Sequence, residues 1–240
     1  MDDGATYLGD LTWRDIDQHG ASLTLLVPVG SLEQHGPHLP LDTDTRIAKA
    51  LCIAASSRVE YAVVAPEITY GASGEHQDFP GTISIGTEVL TQVLIELTRS
   101  ALGPFARMVL VNGHGGNTNA VSDAVALARG EGRDVHAFWP KFSADTTDTH
   151  AGFTETSLML ALAPYAVAVD DVEAGNVEPL EDLLGRLQDD GVREHAPNGV
   201  LGDPEGANAG AGWKMVSAAV DDLVALVGTL TSTASEPMEA

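Results

Sequence analysis

Three scarcities frame the sequence. Cysteine occurs once, at Cys52, so no intrachain disulfide can form, which fits a reducing compartment. Lysine occurs only at Lys49, Lys141 and Lys214, and Lys+Arg number 12 against 35 Asp+Glu, a net charge of −23. So anionic a surface repels phosphate backbones and anionic lipid, which argues against nucleic acid and membrane as partners. Long apolar runs are also missing, since none approaches the ~18 residues that span a bilayer. The first ten residues, MDDGATYLGD, are acidic and polar and do not read as a Sec-type signal peptide. Together these features lead us to expect a cytoplasmic protein. The acidity leaves two readings open: plain solubility, or a high-salt cytoplasm in which dense carboxylates tolerate screening.

What is present is an ordinary globular composition. Hydrophobic residues make up 44% and charged residues 20%, which excludes a disordered chain. Buried strands are expected at residues 23–29 (LTLLVPV), 61–65, 107–111 and 135–139, with a short strand at 82–85. Helices are expected at 43–59, with Thr43 or Asp44 as cap, and at 87–102, with Thr87 as cap. Further helices are expected at 119–128, 154–162, 177–188 and 207–230. The alternation predicts one three-layer α/β domain with a mainly parallel sheet over residues 1–230. Residues 231–240 read as a frayed tail.

In such a sheet, ligands gather at the carboxyl ends of the strands. The chemistry-bearing residues fall there. After the first long strand come Glu33, His35, His38, Asp42 and Asp44; after the 107–111 strand comes His114; after the 135–139 strand come His150 and Glu155. Glu33 and His35, two apart, can share a side in extended backbone. Glycines around His114 allow close backbone approach. The donors are oxygen and nitrogen without thiolate, which suits zinc, iron(II), manganese or cobalt. Three of these carboxylates with two of these histidines would already exceed what one catalytic zinc takes. A two-metal site is therefore expected, with ions roughly 3.5–4 Å apart.

Other candidates are weighed individually. His76 is expected to line a substrate pocket, and Glu75 to support its loop. Asn117 either orients substrate or caps a helix, and His38 either holds a carboxylate or faces solvent. Asp42 is expected to steady the ligand loop. Cys52 reads as core, and His19, His136 and His195 as surface or packing residues. Asp145 and Asp148 read as solvated loop, and Trp139 and Trp213 as packing.

Four segments, GSLEQHGPHLPLDTD, GASGEHQDFPGT, NGHGGN and HAGFTETS, resemble in that order the creatininase family of metal-dependent amidohydrolases. The resemblance spans about residues 8–230. It implies Glu33, His35, Asp44, His114 and Glu155 as ligands of two divalent ions (Zn²⁺, Fe²⁺ or Mn²⁺), with Asp44 bridging. It implies His150 as acid/base, and a homo-oligomer, commonly a hexamer or larger. One position departs: creatininase carries glutamate two residues after its NGH histidine, where this chain has Gly116. That argues against creatinine as substrate and leaves Glu155 to fill the role. Within the family, LPLDTDTRIA, GASGEH and GVLGDP resemble a branch of peptidases. That branch removes a C-terminal Val-Tyr dipeptide from a modified precursor peptide. Alternatives are a small-molecule amidohydrolase, for creatinine-like or formylamino-pyrimidine substrates, and a non-catalytic metal-binding scaffold.

Overall fold

The structure is a computed structural model describing residues 4–232. Five strands form one sheet: β1 (Thr6–Tyr7), β2 (Thr24–Val29), β3 (Ala62–Val64), β4 (Arg107–Asn112) and β5 (Val135–Phe138), in the order β1-β3-β2-β4-β5. Every pairing is parallel, for example Leu25↔Val63 and Leu25↔Met108. Between them run α1 (Trp13–His19), α2 (Thr43–Ser56), α3 (Thr87–Ala101) and α4 (Thr118–Gly130). After β5 come α5 (Phe153–Leu162), α6 (Leu180–Asp190), α7 (Val192–His195) and α8 (Ala209–Ser232).

Side chains alternate across the strands and build two cores. Leu26, Val64, Val109 and Val111 face a cluster with Leu51, Leu158 and Leu223 from α2, α5 and α8. Leu25, Val27, Val63, Met108 and Leu110 face a second cluster with Leu90, Leu94 and Val121 from α3 and α4. A sheet buried on both faces explains the unbroken apolar runs. Cys52 is 0% exposed in the first cluster, and burial pushes its thiol up, so it is packing material rather than a nucleophile.

The topology reverses beside β2. The chain leaves β2 for β3 on one side, then crosses to β4 and β5 on the other. Ligands collect at such a switch point. The loops after β2 and β4 meet there.

Several elements differ from the sequence reading. Residues 82–85 form no strand; they run as a loop tied by Ile83 N–H to Leu32 O and Ile85 N–H to Gly71 O. The cap of α2 is Asp42 in place, without a side-chain bond, because Asp44 turns inward and Thr43 bonds Pro40 O. Gly86 caps α3 and Thr87 is its first residue. Helix α6 starts at Leu180 rather than 177, since Pro179 sets its start. Strand β1 and helix α1 are too short for periodicity to reveal. Helix α8 extends to Ser232, two residues into the expected tail, and residues 233–240 lie outside the described residues.

Candidate metal centre

Two loops and two helix starts place the donors. The segment after β2 carries Glu33 and His35, and the first turn of α2 carries Asp44. The loop after β4 carries His114, and Glu155 sits in the first turn of α5. The close approach depends on glycine. A Cβ on Gly113 would lie 2.5 Å from Asp44 O, and one on Gly116 would lie 2.3 Å from Ala72 O and 2.4 Å from His114 Nε2.

Their donor atoms form overlapping triads. Glu33, Asp44 and His114 make one; His35, Asp44 and Glu155 make another; Glu33, His35 and His150 make a third, each with donor atoms within 4.8 Å of one another. Asp44 belongs to two of them. Its Oδ1 lies 3.1 Å from His35 Nε2, and its Oδ2 lies 3.2 Å from His114 Nδ1. Ser31 Oγ donates to Asp44 Oδ2 at 2.6 Å and fixes that carboxylate.

Outer hydrogen bonds aim the rings. His35 Nδ1–H donates to Glu33 O at 3.1 Å, leaving Nε2 for the centre. His114 Nε2–H donates to Ala72 O at 3.0 Å, leaving Nδ1 for Asp44. Asn112 Nδ2 donates to His114 O at 2.6 Å. The Ala151 N–H donates to Glu155 Oε2 at 2.6 Å, and Ala151 itself holds φ +53°, a strained conformation between His150 and Glu155.

The electrostatics sort the histidines into two kinds. Burial pushes His35 down, but Asp44 beside it more than compensates and holds it at about 10. Burial likewise opposes His114, which Glu33 and Asp44 raise to about 10. Asp44, despite burial, is held well below the carboxylate range by His35 and His114. Burial raises Glu33 and Glu155 to about 7, against the pull of His114 and His35 respectively. Burial lowers His76 to about 3, and it lowers His150 well below the usual imidazole range, His35 adding to both.

The donor set fits a cation. Both Glu33 oxygens are buried without a hydrogen-bond partner, at a residue 0% exposed. His114 Nε2 lies 3.1 Å from Glu33 Oε2, but its hydrogen is directed at Ala72 O. A carboxylate buried that way is costly unless a positive charge meets it. A cleft of about 270 Å³ opens onto the centre, lined among others by His114, Trp139, His150, Thr154 and Glu155.

The remaining candidates divide. His76, 4% exposed, lies at the centre, with Nε2 3.7 Å from Glu33 Oε1. Asn117, expected to orient substrate or cap a helix, sits at the N-cap of α4 without a side-chain cap bond. It is 0% exposed, its Nδ2 donates to Gly30 O and Asn112 Oδ1, and its Oδ1 accepts from Ala72 N–H, so it ties three loops together. His38 is buried and meets the Thr156 hydroxyl, neither solvent nor a carboxylate. Asp42 pairs with Arg46. Asp148 is more than solvated loop: its Oδ2 accepts from Thr154 N–H and anchors the start of α5. Trp139 lines the cleft, and Trp213 is exposed. His136 and His195 pair with Asp134 and Asp190, away from the centre.

Sequence reasoning passed over Ser31, Asn112 and Gln34. Ser31 lies two residues before Glu33, so the same alternation that linked Glu33 to His35 could have found it. Gln34 was hidden by that alternation, which sends it to the opposite side. The backbone of residues 30–34 is irregular, and Gln34 turns toward His76 and His150.

Oxygen and nitrogen donors thus converge at the switch point of a parallel sheet, the arrangement of a metal-binding α/β protein. The chain belongs to the creatininase family, whose sequence model, described as creatinine amidohydrolase, matches residues 9–227. It is 49% identical over 222 residues to a mycofactocin precursor peptide peptidase from Mycolicibacterium smegmatis, covering 89% of this chain and 87% of that one. It is 32% identical over 198 residues to creatinine amidohydrolase from Pseudomonas putida, covering 70% of this chain and 76% of that one. A crystal structure of creatinine amidohydrolase superposes with a TM-score of 0.80 at 27% identity, covering 94% and 97% of the two chains. Related creatininase structures are described as a manganese form and a Zn-Zn type.

Proposed function

We propose that this chain is a metal-dependent peptidase that removes a C-terminal Val-Tyr dipeptide from the modified mycofactocin precursor peptide. The observation that carries the substrate is the 49% identity to a precursor peptide peptidase along almost the whole chain, against 32% to creatinine amidohydrolase. Gly116 supports it, because its surroundings admit no side chain, and a glutamate there is the creatininase arrangement. The match over residues 9–227 supports reading residues 1–230 as one domain. The single cysteine supports a cytoplasmic location; no described helix is long and apolar enough to cross a membrane. By family resemblance it works as a homo-oligomer, a hexamer or larger.

Glu33, Asp44 and His114 would hold one divalent ion, and His35, Asp44 and Glu155 a second, with Asp44 shared. Zinc, iron(II) and manganese suit these donors. When bound, such ions would polarise the scissile carbonyl and acidify water. The chain's own groups do the rest. The cleft beside Trp139 would take an extended peptide end, with Glu155 in its lining and Glu33 buried behind it. His150, neutral by burial, takes a proton from the attacking water at Nδ1 and returns it to the leaving nitrogen. His76 lies beside the same point, and Asn117 acts on substrate only through the loops it ties.

The test is direct. The mature precursor ending in Val-Tyr is incubated with the metal-loaded protein, and dipeptide release is followed by mass spectrometry, with creatinine as control. Release of the dipeptide is expected; faster turnover of creatinine would overturn the substrate assignment.

A further inference from the structure

Gln34 supplies no metal donor, yet its amide touches two of the site's histidines. Its orientation is fixed at both ends. Oε1 accepts the Gly36 N–H at 2.9 Å, and Nε2 donates to Gly199 O at 3.0 Å. Exchanging the amide's O and N would set donor against donor at Gly36 and acceptor against acceptor at Gly199. Nε2 also lies 2.8 Å from His76 Nδ1 and 3.0 Å from His150 Nε2. An amide nitrogen offers two hydrogens and accepts none. Three groups therefore compete for two hydrogens.

For neutral rings the conflict has one consistent solution. His150 Nε2 lies 2.8 Å from the backbone carbonyl of Gln34, which can only accept. A hydrogen on His150 Nε2 satisfies that carbonyl and withdraws His150 from the competition. The two amide hydrogens then go to Gly199 O and His76 Nδ1. A neutral ring that accepts at Nδ1 carries its proton at Nε2, and the converse holds for His150. We propose that Gln34 locks the two rings in opposite tautomers, presenting His76 Nε2–H as a donor and His150 Nδ1 as an acceptor to one reacting centre. Both nitrogens face Glu33 Oε1, at 3.7 Å and 3.8 Å, and the ring centroids are 4.5 Å apart.

The proposal rests on the hydrolase reading above and divides its steps between two rings. As the water oxygen bonds to the carbonyl carbon, one water proton passes to His150 Nδ1. The carbonyl π pair moves onto its oxygen, where the His76 Nε2–H donates. When that pair re-forms the carbonyl, the C–N bond breaks, and the proton on His150 Nδ1 goes to the leaving nitrogen. His76 is then a catalytic residue that keeps its proton, and Gln34 a positioning residue.

The lock is read by ¹⁵N NMR of histidine-labelled protein, metal-free and zinc-loaded, with signals assigned by their loss in His76→Gln and His150→Gln. We expect His76 protonated at Nε2 and bare at Nδ1, and His150 the reverse. A proton on His76 Nδ1, or one tautomer on both rings, would overturn it, and the wild-type protein alone decides this arm. Kinetically, Gln34→Met should lower kcat by about 10²-fold with KM and metal content nearly unchanged. His76→Gln, which keeps a donor, should retain more kcat than His76→Phe; equal values would contradict the donor role. If wild-type protein hydrolyses no amide, the functional reading fails, while the NMR still decides the tautomers.

Discussion

Four histidines share one small volume and divide by what surrounds them. His35 and His114 each lie within 3.2 Å of Asp44, and both are held at about 10. Among the described residues, His76 and His150 have no carboxylate oxygen nearer than the Glu33 Oε1 at 3.7 and 3.8 Å, and both are lowered. All four are buried, so burial alone does not separate them. The carboxylate neighbour does. Where positive charge is wanted, a histidine takes up a proton, and a cation can displace it. Where charge is excluded, a histidine stays neutral and can pass protons. On the proposed function, one residue type would serve binding and chemistry from adjoining positions.

The comparison can be broken at its charged half first. Chelation of the loaded protein should abolish hydrolysis, with recovery on adding zinc, iron(II) or manganese. Full activity in a verified metal-free preparation would end the account. Asp44→Asn comes next. Because Asp44 belongs to two triads, this variant should lose both ions by elemental analysis, whereas Glu155→Gln should keep the ion on the Glu33 side.

The neutral half gives a smaller effect. His150→Ala should lower kcat by about 10²–10⁴-fold, and excess metal should not restore it. Rescue by metal alone would assign His150 to the charged half instead.

A pH series sharpens the contrast. His35 and His114 are raised, so the metal-free protein holds protons there at neutral pH. Metal uptake must release them, so apparent affinity should rise with pH by up to ~10-fold per unit for each proton displaced. Isothermal titration in buffers of different ionisation enthalpy counts those protons; zero released would contradict the assignment. The smallest expected change is Gly116→Ala. Its Cβ would press on His114 Nε2 and Ala72 O, tilting the ring and weakening metal affinity by ~10–100-fold, read by competition with a chromophoric chelator.

Much of this was legible in the sequence, for identifiable reasons. Strands β2 and β4 are buried on both faces, so they read as unbroken apolar runs, and their carboxyl ends point to the site. The donors Glu33, His35, Asp44, His114 and Glu155 stood out because each follows a strand or opens a helix. Asn117 was ambiguous because an amide at a helix start suits a cap or a substrate contact, and its bonds to Gly30, Ala72 and Asn112 are not visible in the local sequence. Gln34 was illegible because its role depends on residues 42, 116 and 165 positions away in the chain. Residues 82–85 misled by composition: their alternation suits a strand, but their backbone bonds the site loops at Leu32 and Gly71 instead of a sheet edge.

The central claim is that the two histidines flanking Asp44 bind metal, and that the two beside Gln34 do not. The direct test is the zinc stoichiometry of four single variants, His35→Ala, His114→Ala, His76→Ala and His150→Ala, measured after identical loading and dialysis. The account predicts that the first two each lose about one ion, while the last two keep the wild-type content. Equal metal content across all four, or loss confined to His76→Ala and His150→Ala, would contradict it.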